Sequence, residues 1–120
     1  MSRENPNHPI TITPNHNRVR VVWHGTVIAD TTRALDLKEA TYPVVHYIPR
    51  EDVAMASLSR TTHQTHCPYK GNAAYFSMTG AEQTAANAVW SYEAPIPAVS
   101  EIAGYLAFYP SKVDIEETAL

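Results

Sequence analysis

The segment Arg18–Ala29, with the sequence RVRVVWHGTVIA, decides the fold that we expect for this chain. Its first half places Val19, Val21 and Trp23 at every second position, which is the period of a β-strand with one buried face. Gly25 can then take the positive φ that a tight hairpin turn needs. The rest of the segment is therefore expected to return as a second, antiparallel strand.

Short runs with the composition of strands recur along the chain. Nine prolines and four glycines among 120 residues separate these runs and imply many turns. We expect a mainly β, compact domain of antiparallel sheets, with short helices only at about Pro49–Arg60 and Pro97–Ala103. The further runs predicted to be strands are residues 34–39, 43–49, 72–78, 88–92, 105–109 and 113–117.

The chain is expected to form one domain, because a chain of this length can bury a single core without metal or disulfide staples. Residues 1–17 are broken by several prolines and are predicted to be an extended N-terminal arm. That leaves residues 18–117 as the β-rich domain. Within it, Thr61–Gly71 is predicted to be an irregular loop shaped by Pro68 and its final glycine.

Composition excludes several classes of function. Nine Lys and Arg against twelve Asp and Glu give a net charge of -3, and the basic residues are scattered, so we expect no nucleic-acid partner. A single cysteine, Cys67, excludes an internal disulfide and a multi-cysteine zinc site. The first residues contain no apolar run, so we expect a soluble, cytoplasmic protein without a membrane span. The oligomeric state stays open, with a homodimer as one option.

The densest group of reactive and aromatic residues is His63–Tyr75, HQTHCPYKGNAAY. Loops on a rigid scaffold commonly carry sites, and ligand pockets usually combine aromatic walls with a few polar groups. We therefore predict a small-molecule pocket around Cys67–Gly71, formed where three separate motifs converge, with the cofactor unknown. The same aromatic side chains would equally suit the core of a small β domain. The residues assigned to ligand binding are Tyr47, Arg50, Tyr69, Lys70, Tyr75, Trp90 and Tyr92.

An enzymatic alternative uses Cys67 as a nucleophile and His63 or His66 as its base. A nearby histidine and Lys70 would favour the thiolate. Adjacent side chains on an extended chain point to opposite faces, however, so His66 is poorly placed unless the chain turns there. A plain structural cysteine is an equal alternative.

A third hypothesis is a single metal ion held by His63, His66 and Cys67. Three ligands without an evident fourth would resemble an open catalytic zinc site. Ligand-like spacing within one short stretch is a weak signal, so we assign no metal to the chain.

Four motifs resemble, in the right order, the family known as domain of unknown function 427. The resemblance covers about residues 18–115, and its motifs are Tyr47–Val53, Cys67–Gly71, Ala88–Tyr92 and Gly104–Tyr109. It implies a compact antiparallel domain of the β-tent type. The family has carried a label suggesting nucleotidyl transfer, but this chain shows neither carboxylates paired for magnesium nor a glycine-rich phosphate loop. Several β-tent relatives bind zinc through two cysteine pairs, which one cysteine cannot repeat.

Overall fold

Ten antiparallel strands form most of the structure, a computed structural model that describes residues 8–120. In this range, helix is limited to 3-10 turns at Arg50–Asp52, Met55–Ser57 and Pro97–Ile102. No helix in the described range is long and apolar enough to cross a membrane. The predicted fold class, mainly β with antiparallel sheets, is confirmed. The strands are β1 Ile10–Asn15, β2 Arg18–Trp23, β3 Thr26–Thr31, β4 Ala34–Glu39, β5 Val45–Tyr47, β6 Leu58–Cys67, β7 Gly71–Thr79, β8 Thr84–Ser91, β9 Ala107–Phe108 and β10 Asp114–Thr118.

The strands are arranged in three sheets, with the orders β1-β4-β5, β10-β2-β3 and β6-β7-β8-β9. The four-stranded sheet contributes to a core on each of its faces. On β7, Ala73 and Tyr75 belong to a core shared with β4 and β5, whereas Phe76 and Met78 belong to a core shared with β2 and β3. Side chains on opposite faces of β7 therefore belong to different cores.

The hairpin of β2 and β3 agrees with the prediction from its alternating side chains. Val19, Val21 and Trp23 are all buried. His24 and Gly25 form the turn with φ values of 49° and 78°, the left-handed conformation that tight hairpin turns require. The sequence of Arg18–Ala29 thus specifies both the buried face of β2 and the turn that reverses the chain.

The helical segments predicted at about Pro49–Arg60 and Pro97–Ala103 are confirmed in place, but the first is not one continuous helix. Two separate 3-10 turns occupy its first part, and β6 already begins at Leu58. Between the turns, Val53 forms an antiparallel bridge with Ala29, which holds the backbone extended. The β-branched threonines of β6 also favour a strand over a helix.

The loop predicted at Thr61–Gly71 is wrong for most of its length. β6 continues to Cys67 and pairs with β7, so that only residues 68–70 form the turn between them. β6 lies at the edge of its sheet, and most of its side chains are exposed. The polar composition that indicated a loop belongs to this solvent-facing edge.

The predicted N-terminal arm does not hold for residues 10–15, which form β1. Every residue of β1 pairs with β4, and Ile10 is buried in the core that contains Tyr75. Prolines are tolerated here because β1 is an edge strand with one free side. Residues 1–7 lie outside the described part of the chain, so the arm remains a prediction for them.

Replacing Gly71 with alanine should lower the free energy of unfolding by about 2 kcal/mol, because its φ of 116° is a strained conformation for residues with a Cβ. The added Cβ would also lie 3.4 Å from Pro95 Cα. The change is measured by urea unfolding. Gly25→Ala is the control, since its φ is 78° but nothing lies within 4 Å of the added Cβ. Equal losses in the two variants would contradict additional strain at the φ of 116°.

Candidate functional site

A cavity of about 180 Å³ is lined by residues of β4, β5, β7 and β8 and by residues that follow β6, β8 and β9. Apart from Leu37, Pro43 and Val45, its lining side chains carry hydrogen-bonding groups. We call it the tyrosine cavity, because five of these side chains are phenols. The polar and aromatic lining consists of Glu39, Tyr42, Tyr47, Lys70, Tyr75, Trp90, Tyr92 and Tyr109.

Tyr47 forms the buried floor of the site. Its ring lies edge-on to Trp90, with 6.4 Å between the centroids, and its hydroxyl accepts a hydrogen bond of 3.2 Å from Trp90 Nε1. Burial raises the pKa of Tyr47 and the pKa of Tyr92 well above the ordinary range of a phenol. Both hydroxyls are neutral at physiological pH, as an ordinary phenol is, and burial makes their ionisation still less favourable, so they act as donors and acceptors.

A chain of hydroxyl groups runs along another wall. The hydroxyl oxygen of Tyr75 lies 3.1 Å from Thr65 Oγ1 and 3.2 Å from the hydroxyl oxygen of Tyr109. Burial, followed by the hydrogen bond with Tyr75, raises the pKa of Tyr109 to about 12. Within residues 8–120 the Tyr92 hydroxyl, in contrast, has no hydrogen-bond partner. Tyr92, which is 6% exposed, is thus a buried phenol of this cavity that is free to bind a guest.

The charged side chains of the site are paired with one another. Lys70, only 8% exposed, donates a hydrogen bond to Glu39 Oε1, and His8 Nε2 lies 2.5 Å from Glu39 Oε2. Burial acts to raise the pKa of Glu39, but the hydrogen bonds from Lys70 and His8 outweigh burial and leave that pKa lowered. Since Lys70 is already paired, the cavity offers hydrogen-bonding groups but little net charge.

Five residues assigned from the sequence to ligand binding line this one cavity. They are Tyr47, Lys70, Tyr75, Trp90 and Tyr92, which come from separate stretches of the chain. β5, β7 and β8 deliver the aromatic side chains, and the turn after β6 delivers the lysine. The sequence reasoning did not assign Glu39, Tyr42 or Tyr109 to the pocket. For Tyr109 a signal existed, since it ends one of the four family-like motifs.

Arg50 and Tyr69, assigned from the sequence to ligand binding, do not line the cavity. Arg50 Nε donates to the carbonyl of Gly104 at 3.0 Å, and its guanidinium pairs with Glu93 at 3.0 Å. Tyr69 instead stacks on His8, with 3.8 Å between the ring centroids. Arg50 therefore ties a turn to the end of β8, and Tyr69 covers the histidine that contacts Glu39.

The residues of the enzymatic alternative are spread along β6. Cys67 packs against the core that contains Tyr75, whereas the side chain of His66 is exposed and its Nδ1 lies 2.7 Å from Asn72 Oδ1. The ring of His63 lies 4.5 Å from that of Tyr75, but His63 precedes Cys67 by about 13 Å of extended strand. This geometry gives Cys67 no base from either histidine.

The metal hypothesis finds no support in the arrangement of these side chains. Among the residues that the structure describes, no three His, Cys, Asp or Glu side chains are grouped so that they could hold a metal ion. His63, His66 and Cys67 share one strand but do not converge.

Comparison with known proteins gives a family but no activity. A family model described as a domain of unknown function (DUF427) matches residues 11–119. No curated protein gives a significant match to the chain. The matched range includes every strand that contributes to the tyrosine cavity.

Proposed function

Since the chain belongs to the DUF427 family, whose description states no activity, we propose a function from the site itself: the protein binds a small molecule in the tyrosine cavity. Ligand sites usually combine aromatic walls with a few convergent polar groups, and this cavity has both. The observation that carries the proposal is Tyr92, a phenol that lines the cavity and, within residues 8–120, has no hydrogen-bond partner.

The side chains that line the tyrosine cavity determine which polar group of a ligand binds best there. Tyr47 and Tyr92 are protonated near neutral pH, as ordinary phenols are, and burial raises the pKa of each further. Lys70 is paired with Glu39, so an anionic ligand would compete with an existing carboxylate. An uncharged hydroxyl or carbonyl group, which can exchange hydrogen bonds with neutral phenols, fits this site better than a phosphate or a carboxylate.

Phenol is a suitable first probe, because it offers one hydroxyl on an aromatic ring. We expect millimolar phenol to raise the melting temperature of the protein, since a ligand that binds only the folded state stabilises it by mass action. In Tyr92→Phe, the dissociation constant should rise about tenfold, the value of one hydrogen bond. Thermal unfolding measures the change in melting temperature, and titration calorimetry measures the dissociation constant.

Tyr105→Phe is the matched control for Tyr92→Phe. Tyr105 packs against the same core but does not line the tyrosine cavity, so its loss should leave phenol binding unchanged. A melting temperature that phenol leaves unaltered, or an equal loss of affinity in both variants, would remove the basis of the proposal.

A further inference from the structure

A second, larger cavity adjoins the tyrosine cavity. Its volume is about 410 Å³, and we call it the apolar cavity. The two cavities share Tyr42, Pro43, Val45 and Trp90 as lining residues, so Trp90 contributes to the wall of both. A molecule in one cavity can therefore be in contact with the same indole that borders the other.

The lining of the apolar cavity differs in chemistry from that of its neighbour. Among residues 8–120, His46 is its one ionisable lining side chain besides Tyr42, and it is already held by Asp36 at 2.6 Å and Glu117 at 3.5 Å. No lysine, arginine or carboxylate of the described residues lines this cavity. The aliphatic and aromatic lining includes Val19, Val21, Val44, Ile48, Phe108 and Ile115.

We infer that the ligand is amphipathic: its hydroxyl or carbonyl head occupies the tyrosine cavity, and an alkyl chain extends past Trp90 into the apolar cavity. This inference rests on the proposed function, because it assumes that the polar head of the ligand binds in the tyrosine cavity. It names the class of ligand, namely a small polar head that carries an unbranched apolar tail.

Volume supports a ligand that uses both cavities. Pockets for small molecules usually measure about 300–1,000 Å³. The tyrosine cavity, at about 180 Å³, lies below that range, whereas the apolar cavity lies within it at about 410 Å³. A ligand confined to the tyrosine cavity would be very small, and a ligand confined to the apolar cavity would leave the free Tyr92 hydroxyl unused.

Surface exposure supports the same ligand class. Val44 and Tyr42 are 47% and 60% exposed, and both line the apolar cavity. Water in this cavity meets few hydrogen-bonding groups, so its replacement by methylene groups is favourable. An alkyl chain would cover apolar surface that the described part of the protein leaves in contact with water.

The inference is tested with a series of 4-alkylphenols from phenol to 4-hexylphenol, measured by titration calorimetry on the full chain. Affinity should rise about fourfold for each added methylene, the ratio that corresponds to about 0.8 kcal/mol of transfer free energy. Val44→Asp, which places a charge at the rim of the apolar cavity, should flatten this rise but leave the affinity for phenol itself unchanged.

Val27→Asp is the matched control, because Val27 is similarly exposed, at 39%, and lines neither cavity. It should keep the full dependence on chain length. A series whose affinity does not change with chain length, while phenol binding still depends on Tyr92, would overturn the amphipathic ligand and leave the proposed function standing. A rise that Val44→Asp and Val27→Asp affect equally would also overturn it. If no member of the series binds, the proposed function fails as well.

Discussion

Replacing Lys70 with methionine should lower the free energy of unfolding by about 3 kcal/mol, because it leaves the Glu39 carboxylate largely buried without its main cation. The two side chains are 10% and 14% exposed, so little water is available to replace the lost partner. The ammonium group also lies 5.8 Å from the centroid of the Tyr92 ring, a contact that methionine does not reproduce. Urea unfolding near neutral pH measures the loss.

The loss should become smaller in acid. In the folded protein the pKa of Glu39 is lowered, so the stability that this group contributes is fully present above its unfolded pKa of about 4.3. That contribution disappears as the pH falls through the lower folded pKa. Once Glu39 is protonated, the absence of Lys70 costs less, so the stability curves of the wild type and Lys70→Met should converge below about pH 4.

Two further variants identify the cause of the loss. Lys112→Met removes an exposed lysine and should change stability by less than about 0.5 kcal/mol. The double variant Lys70→Met, Glu39→Gln should recover part of the loss, because no charge then remains buried without its cation. If the double variant is no more stable than Lys70→Met, packing of the lysine side chain, and not its charge, stabilises this region.

Local patterns were sufficient to predict most strands. Alternation in β2, the φ requirement of Gly25 and the proline-bounded segment around β5 are properties of neighbouring residues, and the structure confirms strands there. β6 could not be recognised in this way. Its backbone groups pair with β7, but its side chains face solvent, so no apolar alternation marks it. The sequence is more informative about buried faces than about exposed edges.

Residues of the candidate site could be predicted where they lie within a recognisable motif, and could not where their role depends on distant parts of the chain. Tyr47 and Trp90 lie in motifs on strands and Tyr92 directly follows β8, and the period of two indicated that the side chains of Trp90 and Tyr92 could gather on one face. The contact of Glu39 with Lys70 joins residues 31 positions apart and depends on how two sheets meet. Arg50 carried the same signals as a binding residue, but its partners, Gly104 and Glu93, are set by tertiary structure alone.

Trp90→Ala should lower the free energy of unfolding by about 3 kcal/mol, because a large, partly buried ring is removed from between two existing cavities. The indole packs on Tyr109, with 4.5 Å between the centroids, and donates its only hydrogen bond to Tyr47. Its removal therefore deprives a buried hydroxyl of its donor and leaves a void in the wall that the two cavities share. Thermal and urea unfolding measure the effect.

Trp90→Phe separates ring packing from the hydrogen bond in this prediction. Phenylalanine keeps an aromatic wall but has no N–H group, so we expect this variant to lose about 1–2 kcal/mol, less than Trp90→Ala. In a double-mutant cycle, the double variant Trp90→Phe, Tyr47→Phe should lose about 1 kcal/mol less than the sum of the two single losses, since each single variant breaks the same bond. Full additivity would show that the 3.2 Å contact between Trp90 Nε1 and the Tyr47 hydroxyl adds nothing to stability. An equal loss in Trp90→Phe and Trp90→Ala would instead show that the lost hydrogen bond, and not the lost ring packing, accounts for the destabilisation.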